Sequence, residues 1–227
     1  MIPTSRAVLV AFVLSACNRP SPPMSEPTAA PSATPPIVQT GDAVLRTRAR
    51  EVTPAEIATP EFQALVQRMI ATMRAAPGVG LAAPQIGVPL RVIVLEDRDD
   101  LIARAADVER TERERVAFGP RVFVNPVLTP IGDARATFFE GCLSVDGFAG
   151  LVERHLEVEV RGLDEHGAQQ VWRTRGWPAR ILQHEVDHID GTLYIDRMHT
   201  RSFSTTEHAR DRFGGLTIAE VRRALGL

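Results

Sequence analysis

The chain has 227 residues, 44% of them hydrophobic, which suffices to bury one sizeable core and predicts a single catalytic-sized domain with extensions. A formal net charge of -2 leaves no basic footprint, so nucleic acid is not expected as a partner. Cysteine occurs twice, at positions 17 and 142, too sparsely for a disulfide scaffold.

In chain order, Met1 to Arg6 is a short, weakly positive start and Ala7 to Leu14 an apolar run too short to span a bilayer. Leu14-Ser15-Ala16-Cys17 follows and resembles the lipobox of bacterial lipoproteins, which implies residues 1–17 as a signal segment and Cys17 as a lipidated first residue. Membrane anchoring through that lipid and an envelope location are expected, or a cytoplasmic one if the true start lies downstream. Residues 18–37, rich in Pro, Ser, Thr and Ala, have little to bury and read as a tether. Residues 38–227 remain for the catalytic domain, expected as a monomer.

Phe62, Leu65, Val66, Met69, Ile70 and Met73 recur at helical spacing and predict one amphipathic helix, ended by Pro77-Gly78. The next stretch, Gly78-Val79-Gly80-Leu81-Ala82-Ala83-Pro84-Gln85, is rich enough in small residues to read as unpacked backbone, with glycines that permit a close approach. No Gly-Lys-Ser/Thr follows, so it is not a phosphate loop. Arg91–Leu95 and Arg121–Val124 carry β-branched runs typical of strands, and Leu156, Val158 and Val160 alternate as a half-exposed strand does. Asp97–Arg115, dense in both signs of charge, reads as a solvated excursion without function. Asp164–Gly167 reads as a turn into Val171-Trp172.

Gln183 to Gly191 contains His184-Glu185-x-x-His188. On a helix, residues four apart stand on one face, so both imidazoles can converge on one ion, while Glu185 projects about 100° away and can take a proton without being a ligand. Trp177-Pro178 opens that helix, and Ile181, Leu182 and Ile189 can pack it between sheets. Thr217-x-x-Glu220 reads as a capping box before an apolar stripe of Ile218, Val221 and Leu225. Short strands with few helices indicate an α+β fold rather than a doubly wound sheet.

A hydrolytic metal site usually has three protein ligands. Tyr194 stands where the third histidine of an HExxHxxGxxH motif would be, and Glu207 is available only at a loose spacing. The better candidate is Cys142 in Glu140-Gly141-Cys142-Leu143-Ser144, as a thiolate ligand; the other reading of a lone cysteine is a small buried hydrophobe.

Taken together and in order, GVGLAAPQ, EGCLS and QHEVDHIDG resemble the three signature motifs of the peptide deformylases. The similarity runs from about Val38 to Phe203 and leans toward the organellar branch through Gly176–Arg180 and Thr192–Met198. The resemblance implies antiparallel or mixed sheets around a central helix carrying HExxH. It implies one divalent metal ion on Cys142, His184 and His188: Fe²⁺ by resemblance, with Zn²⁺ expected if the chain is exported, since zinc has no redox chemistry. It also implies Glu185 as general acid/base, and the Gln85 amide with the Leu143 N–H as oxyanion donors. The substrate would be an N-formyl-methionyl peptide, cleaved to formate and a free amine. Val79, Leu81, Ile181 and the stem of Glu140 are the candidates for the methionine pocket. A tight wall at Gly80 would exclude acetyl, and the peptide backbone would add beside Gly78 and Val145–Gly147. Two positions depart from the bacterial pattern: Asp146 replaces the usual Pro, and Ala149 an Arg. The alternatives are an HExxH endoprotease and a non-catalytic metal- or peptide-binding lipoprotein.

Overall fold

The computed structural model describes residues 35–227; the lipobox reading at Cys17 lies outside them, as does most of the tether. In chain order the elements are α1 (Pro54–Ile57), α2 (Pro60–Ala75), β1 (Gly80–Ala82), β2 (Val92–Asp97), α3 (Asp99–Ile102), α4 (Asp107–Glu112), β3 (Phe118–Pro130), β4 (Arg135–Cys142), β5 (Val145–His155), β6 (Glu157–Leu163), β7 (Gln169–Arg175), α5 (Trp177–Ile189), β8 (Ser204–Thr205), α6 (Thr206–Phe213) and α7 (Ile218–Leu225). They form an α+β fold with a sheet ordered β1-β2-β3-β6-β7 and a second ordered β4-β5-β8. Every pairing between these strands is antiparallel.

Helix α2 starts where the Thr59 hydroxyl accepts from the Phe62 N–H and Pro60 occupies the first turn. Its apolar face buries Phe62, Leu65, Val66, Met69 and Met73. Strand β2 is buried along its whole length because both of its faces are covered. Val92 and Val94 pack toward α2, Ile93 and Leu95 toward α5. The same alternation governs β1: Leu81 enters the α2 side and Ala82 the α5 side. The glycine-rich stretch is therefore a packed element, contrary to the sequence expectation. Pairing with β2 through Gly80↔Leu95 and Ala82↔Ile93 supplies the packing that small residues cannot signal.

β4 and β5 form a long hairpin whose register shifts between Gly141 and Cys142. One face packs on Tyr194 and Leu193, the other on α6 and α7 through Phe139, Leu151, Phe213 and Val221. The predicted capping box at Thr217 and Glu220 is present. The charge-dense excursion departs from expectation. Asp97 is fully buried against Arg115 at 2.7 Å, and the Arg113 guanidinium lies 4.5 Å over the Trp177 ring, so this segment packs against α5. Glu112 reaches farther still and accepts from the Ile218 N–H at 2.9 Å, tying α4 to α7.

Candidate active site

Helix α5 carries the HExxH residues and packs on β1, β2 and β5. Its N-cap is Gly176 at φ +68, where a Cβ would come within 2.6 Å of the Glu114 side chain. The four-residue spacing brings the His184 and His188 rings to 5.0 Å between centroids. Cys142, delivered by the hairpin bulge, places Sγ 3.2 Å from His188 Nε2. One donor atom from each of the three residues lies within 4.8 Å of the others, the one such metal-ligating group among the described residues. Glu207 sits elsewhere, exposed in the first turn of α6.

The donor set fits a thiophilic divalent ion. His188 Nδ1 and Glu185 Oε2 are buried without a protein partner. Burial opposes charge on His184, but contacts with Cys142 and Glu140 outweigh it and hold that imidazole well above its ordinary pKa. A proton there does what a cation would do between sulfur and carboxylate. Burial, reinforced by the charge on His184, pushes His188 well below its ordinary value, the neutral form a ligand requires.

Glu140 sits behind His184. Sequence reasoning placed its stem in the methionine pocket; it does line the cleft, but its carboxylate is fully engaged. It accepts from Arg154 at 2.8 and 2.9 Å and from Arg180 at 2.5 Å, and lies 2.9 Å from His184 Nδ1. Both Glu140 and Arg154 are about 95% buried, and Arg154 passes on to Asp187 at 2.5 Å, which Arg197 also holds. Burial alone would raise the Glu140 carboxyl, yet Arg154 and His184 hold it well below the carboxylate range. Fixing Nδ1 of His184 in this way leaves Nε2 for a metal.

The cleft in front of these residues has a volume of about 350 Å³. It is lined by the expected Gly78, Val79, Gly80, Gln85, Leu143, Val145, Gly147 and Ile181 together with Cys142, His184 and Glu185. Leu81 is absent: fully buried, it faces α2 because neighbours along a strand point to opposite faces. Gln85 is oriented by the Ala82 N–H, which donates to its Oε1 at 2.8 Å, leaving Nε2 3.3 Å from Ser144 Oγ and 3.6 Å from Cys142 Sγ. Sequence reasoning missed Arg113, Phe139, Phe148, Trp177 and Arg180 in the lining. Phe139 adjoins the EGCLS motif and Trp177 opens the motif helix, signals that were available; Arg113 had none, because only tertiary packing turns it inward.

Glu185 is buried, and desolvation pushes its carboxyl up to about 7. Gly80 faces it so closely that a Cβ would collide with the carboxylate, coming within 2.8 Å of Cδ. Gly80→Ala is therefore expected to displace Glu185 and lower kcat/KM by about 100-fold while metal content is retained. Steady-state kinetics with metal analysis checks this; wild-type turnover in the variant would show that Glu185 has room to spare.

The polypeptide deformylase family profile matches residues 34–203. Peptide deformylase 1A, chloroplastic/mitochondrial, of Arabidopsis thaliana is 54% identical over 174 residues, 77% of this chain and 65% of that protein. The mitochondrial peptide deformylase of Homo sapiens is 45% identical, covering 74% of this chain and 69% of the relative. The chain spans just under two thirds of the tomato and Arabidopsis relatives, 64% and 65%. A Met-Ala-Ser-bound class I type b peptide deformylase from Acinetobacter baumannii superposes with a TM-score of 0.66 at 33% identity, covering 74% of this chain and 99% of that one. With that coverage, and with the three motifs meeting at one cleft, the chain belongs to the polypeptide deformylase family.

Proposed function

We propose that the chain removes the formyl group from N-formyl-methionyl peptides, releasing formate, with one divalent metal ion held by Cys142, His184 and His188. The observation that carries this reading is the convergence of those three donors beside a buried, unpartnered Glu185 at one cleft. Bound there, iron(II) or zinc supplies a Lewis acid that polarises the carbonyl and acidifies water. Glu185 takes the proton from the attacking water and returns it to the departing amine. Gln85 Nε2, steered by its own Oε1 bond to Ala82, and the Leu143 N–H donate to the oxyanion, each such donor being worth about 3 kcal/mol in other hydrolases. Gly80 and Glu185 leave little room around the acyl carbon, which favours formyl over acetyl. Val79, Ile181 and Trp177 offer apolar surface to the methionine side chain.

Formate release from a formyl-Met-Ala-Ser peptide tests the reading, with casein cleavage as the signature of an endoprotease instead. In Cys142→Ala, metal content should fall from about one ion per chain to near none, and formate release with it, because two imidazoles alone hold the ion weakly. Undiminished metal in that variant would remove Cys142 from the ligand set.

A further inference from the structure

Beneath the two C-terminal helices lies a second cavity of about 230 Å³, lined from α4, the β4–β5 hairpin, α6 and α7. Its walls are mainly carbon, supplied by Phe138, Phe139, Ala209, Phe213, Ile218 and Val221. It shares Arg113, Phe139 and Thr206 with the catalytic cleft, but none of Cys142, His184, Glu185 or His188 lines it. Arg210 and Leu216 in its lining are exposed, so it opens to solvent. Both helices follow residue 203, where the family profile stops. Loose packing would account for an apolar void but not for the polar atom left unserved in its wall. Three of the four charged side chains in the lining have their partners: Glu112 accepts from the Ile218 N–H at 2.9 Å, Glu109 accepts from Arg113 Nη2 at 2.6 Å, and Arg210 donates to Asp211 at 3.1 Å. Arg113 is only partly served. The Trp177 ring lies 4.5 Å from its Cζ and Glu109 holds Nη2, while its Nε is buried without a hydrogen-bond partner, the one such side-chain atom among the residues lining this cavity. What the wall lacks is therefore an acceptor.

We infer that this cavity is a second ligand site, taking a medium-chain carboxylate whose apolar chain lies between Phe139, Phe213 and Val221 and whose head accepts from Arg113. Its size selects a short occupant: at the ~30 Å³ that one water takes up in the liquid, the cavity holds about eight non-hydrogen atoms, fewer than a drug-sized ligand needs. Carbon walls favour an alkyl chain over water, which finds few partners there. A guanidinium favours a carboxylate over a neutral acceptor, because hydrogen bonds between ions are the stronger kind. An ammonium head would leave Nε unserved and add a second cation beside Arg113. Binding here is independent of what the cleft hydrolyses.

Calorimetry on the full chain, titrated with octanoate, octanol and octylamine, tests this. Octanoate should bind with a Kd below about 1 mM, octanol about tenfold more weakly, and octylamine not measurably. Ala209→Leu adds volume to the cavity wall and lies outside the cleft lining. It should weaken octanoate by about tenfold or more while metal content stays at the wild-type level. Arg113→Met keeps an apolar stem and removes the donors, and should bring octanoate down to the affinity of octanol. Cys142→Ala should leave octanoate binding intact, which separates this cavity from a carboxylate seated on the metal. Thermal melts report whether each variant folds, and Arg113→Met alone decides if Ala209→Leu does not. Absence of octanoate binding to the wild type, equal affinity for octanoate and octylamine, full affinity in a folded Ala209→Leu or Arg113→Met, or loss of binding in Cys142→Ala would each overturn the assignment.

Discussion

Glu185→Gln should keep its metal and lower kcat/KM by about 10²–10⁴-fold, the usual contribution of a positioned general base. The amide preserves shape and cannot accept the proton, and none of Cys142, His184 or His188 is touched. The pH dependence sharpens the test. Burial lifts the Glu185 carboxyl to about 7, and a cation beside it would draw that value down. Activity in the wild type should therefore rise with pH along an acid limb lying below about 7, as the carboxyl ionises. The Gln variant should lack that limb. Retention of more than about a tenth of wild-type kcat/KM, a barrier change under about 1.4 kcal/mol, would assign the proton transfer to another group.

Glu140→Ala should cost about 3–5 kcal/mol of stability, the scale for removing one partner of a buried ion pair. Arg154 and Arg180 would remain buried facing a void, with Asp187 left to compensate only the first of them. Burial pulls Arg180 down to about 10, still charged at neutral pH, so its charge cannot simply be shed. His184 would also lose the acceptor that orients it, so metal affinity should drop by about 10–100-fold. Glu140 contributes in its ionised form because its folded pKa lies below the unfolded one. That stability is complete above the ordinary carboxyl range near 4 and is lost as pH falls through the folded value. Denaturant titrations at pH 7 and at about pH 3 separate the effects: the gap between wild type and Glu140→Gln should shrink in acid. A loss below about 1 kcal/mol at pH 7 in the Ala variant would show the network to be dispensable.

Chemistry with fixed spacing was legible in the sequence. His184, Glu185 and His188 follow from helical periodicity, and α2 from its apolar stripe. Cys142 stood out as a candidate ligand because it is a lone cysteine beside a glycine in a chain that also carries HExxH, and the fold brings its sulfur 3.2 Å from His188 Nε2. What escaped depends on partners distant along the chain. Leu81 looked like a pocket residue by proximity to Gly80, but the two-residue alternation of β1 sends it to the α2 side. Glu140 does line the cleft, but its ion pairs could not be read, because neither Arg154 nor Arg180 is its neighbour in sequence; they appear only once β5 and α5 close over it. Arg113 was one charge in a charged run until Trp177 gave it a surface to lie on. The β4–β5 hairpin bears no strict alternation because its two faces meet different partners, Tyr194 on one and α7 on the other.

Residues 38–40, well ahead of α1, carry a consequence for the order in which this molecule is made. The Val38 N–H donates to the Gln85 carbonyl and the Thr40 N–H to the Ser144 carbonyl, while Gln39 reaches Leu143 and Asp146, 104 and 107 positions away. This arm leaves the ribosome long before its seats exist, and His188 emerges later still. Because synthesis runs at about 5–20 residues per second, the arm waits several seconds with nothing to hold. On the proposed ligand set, the metal site is complete only after α5 is made, and a nascent chain halted short of α5 would carry Cys142 without the two imidazoles that stand beside it.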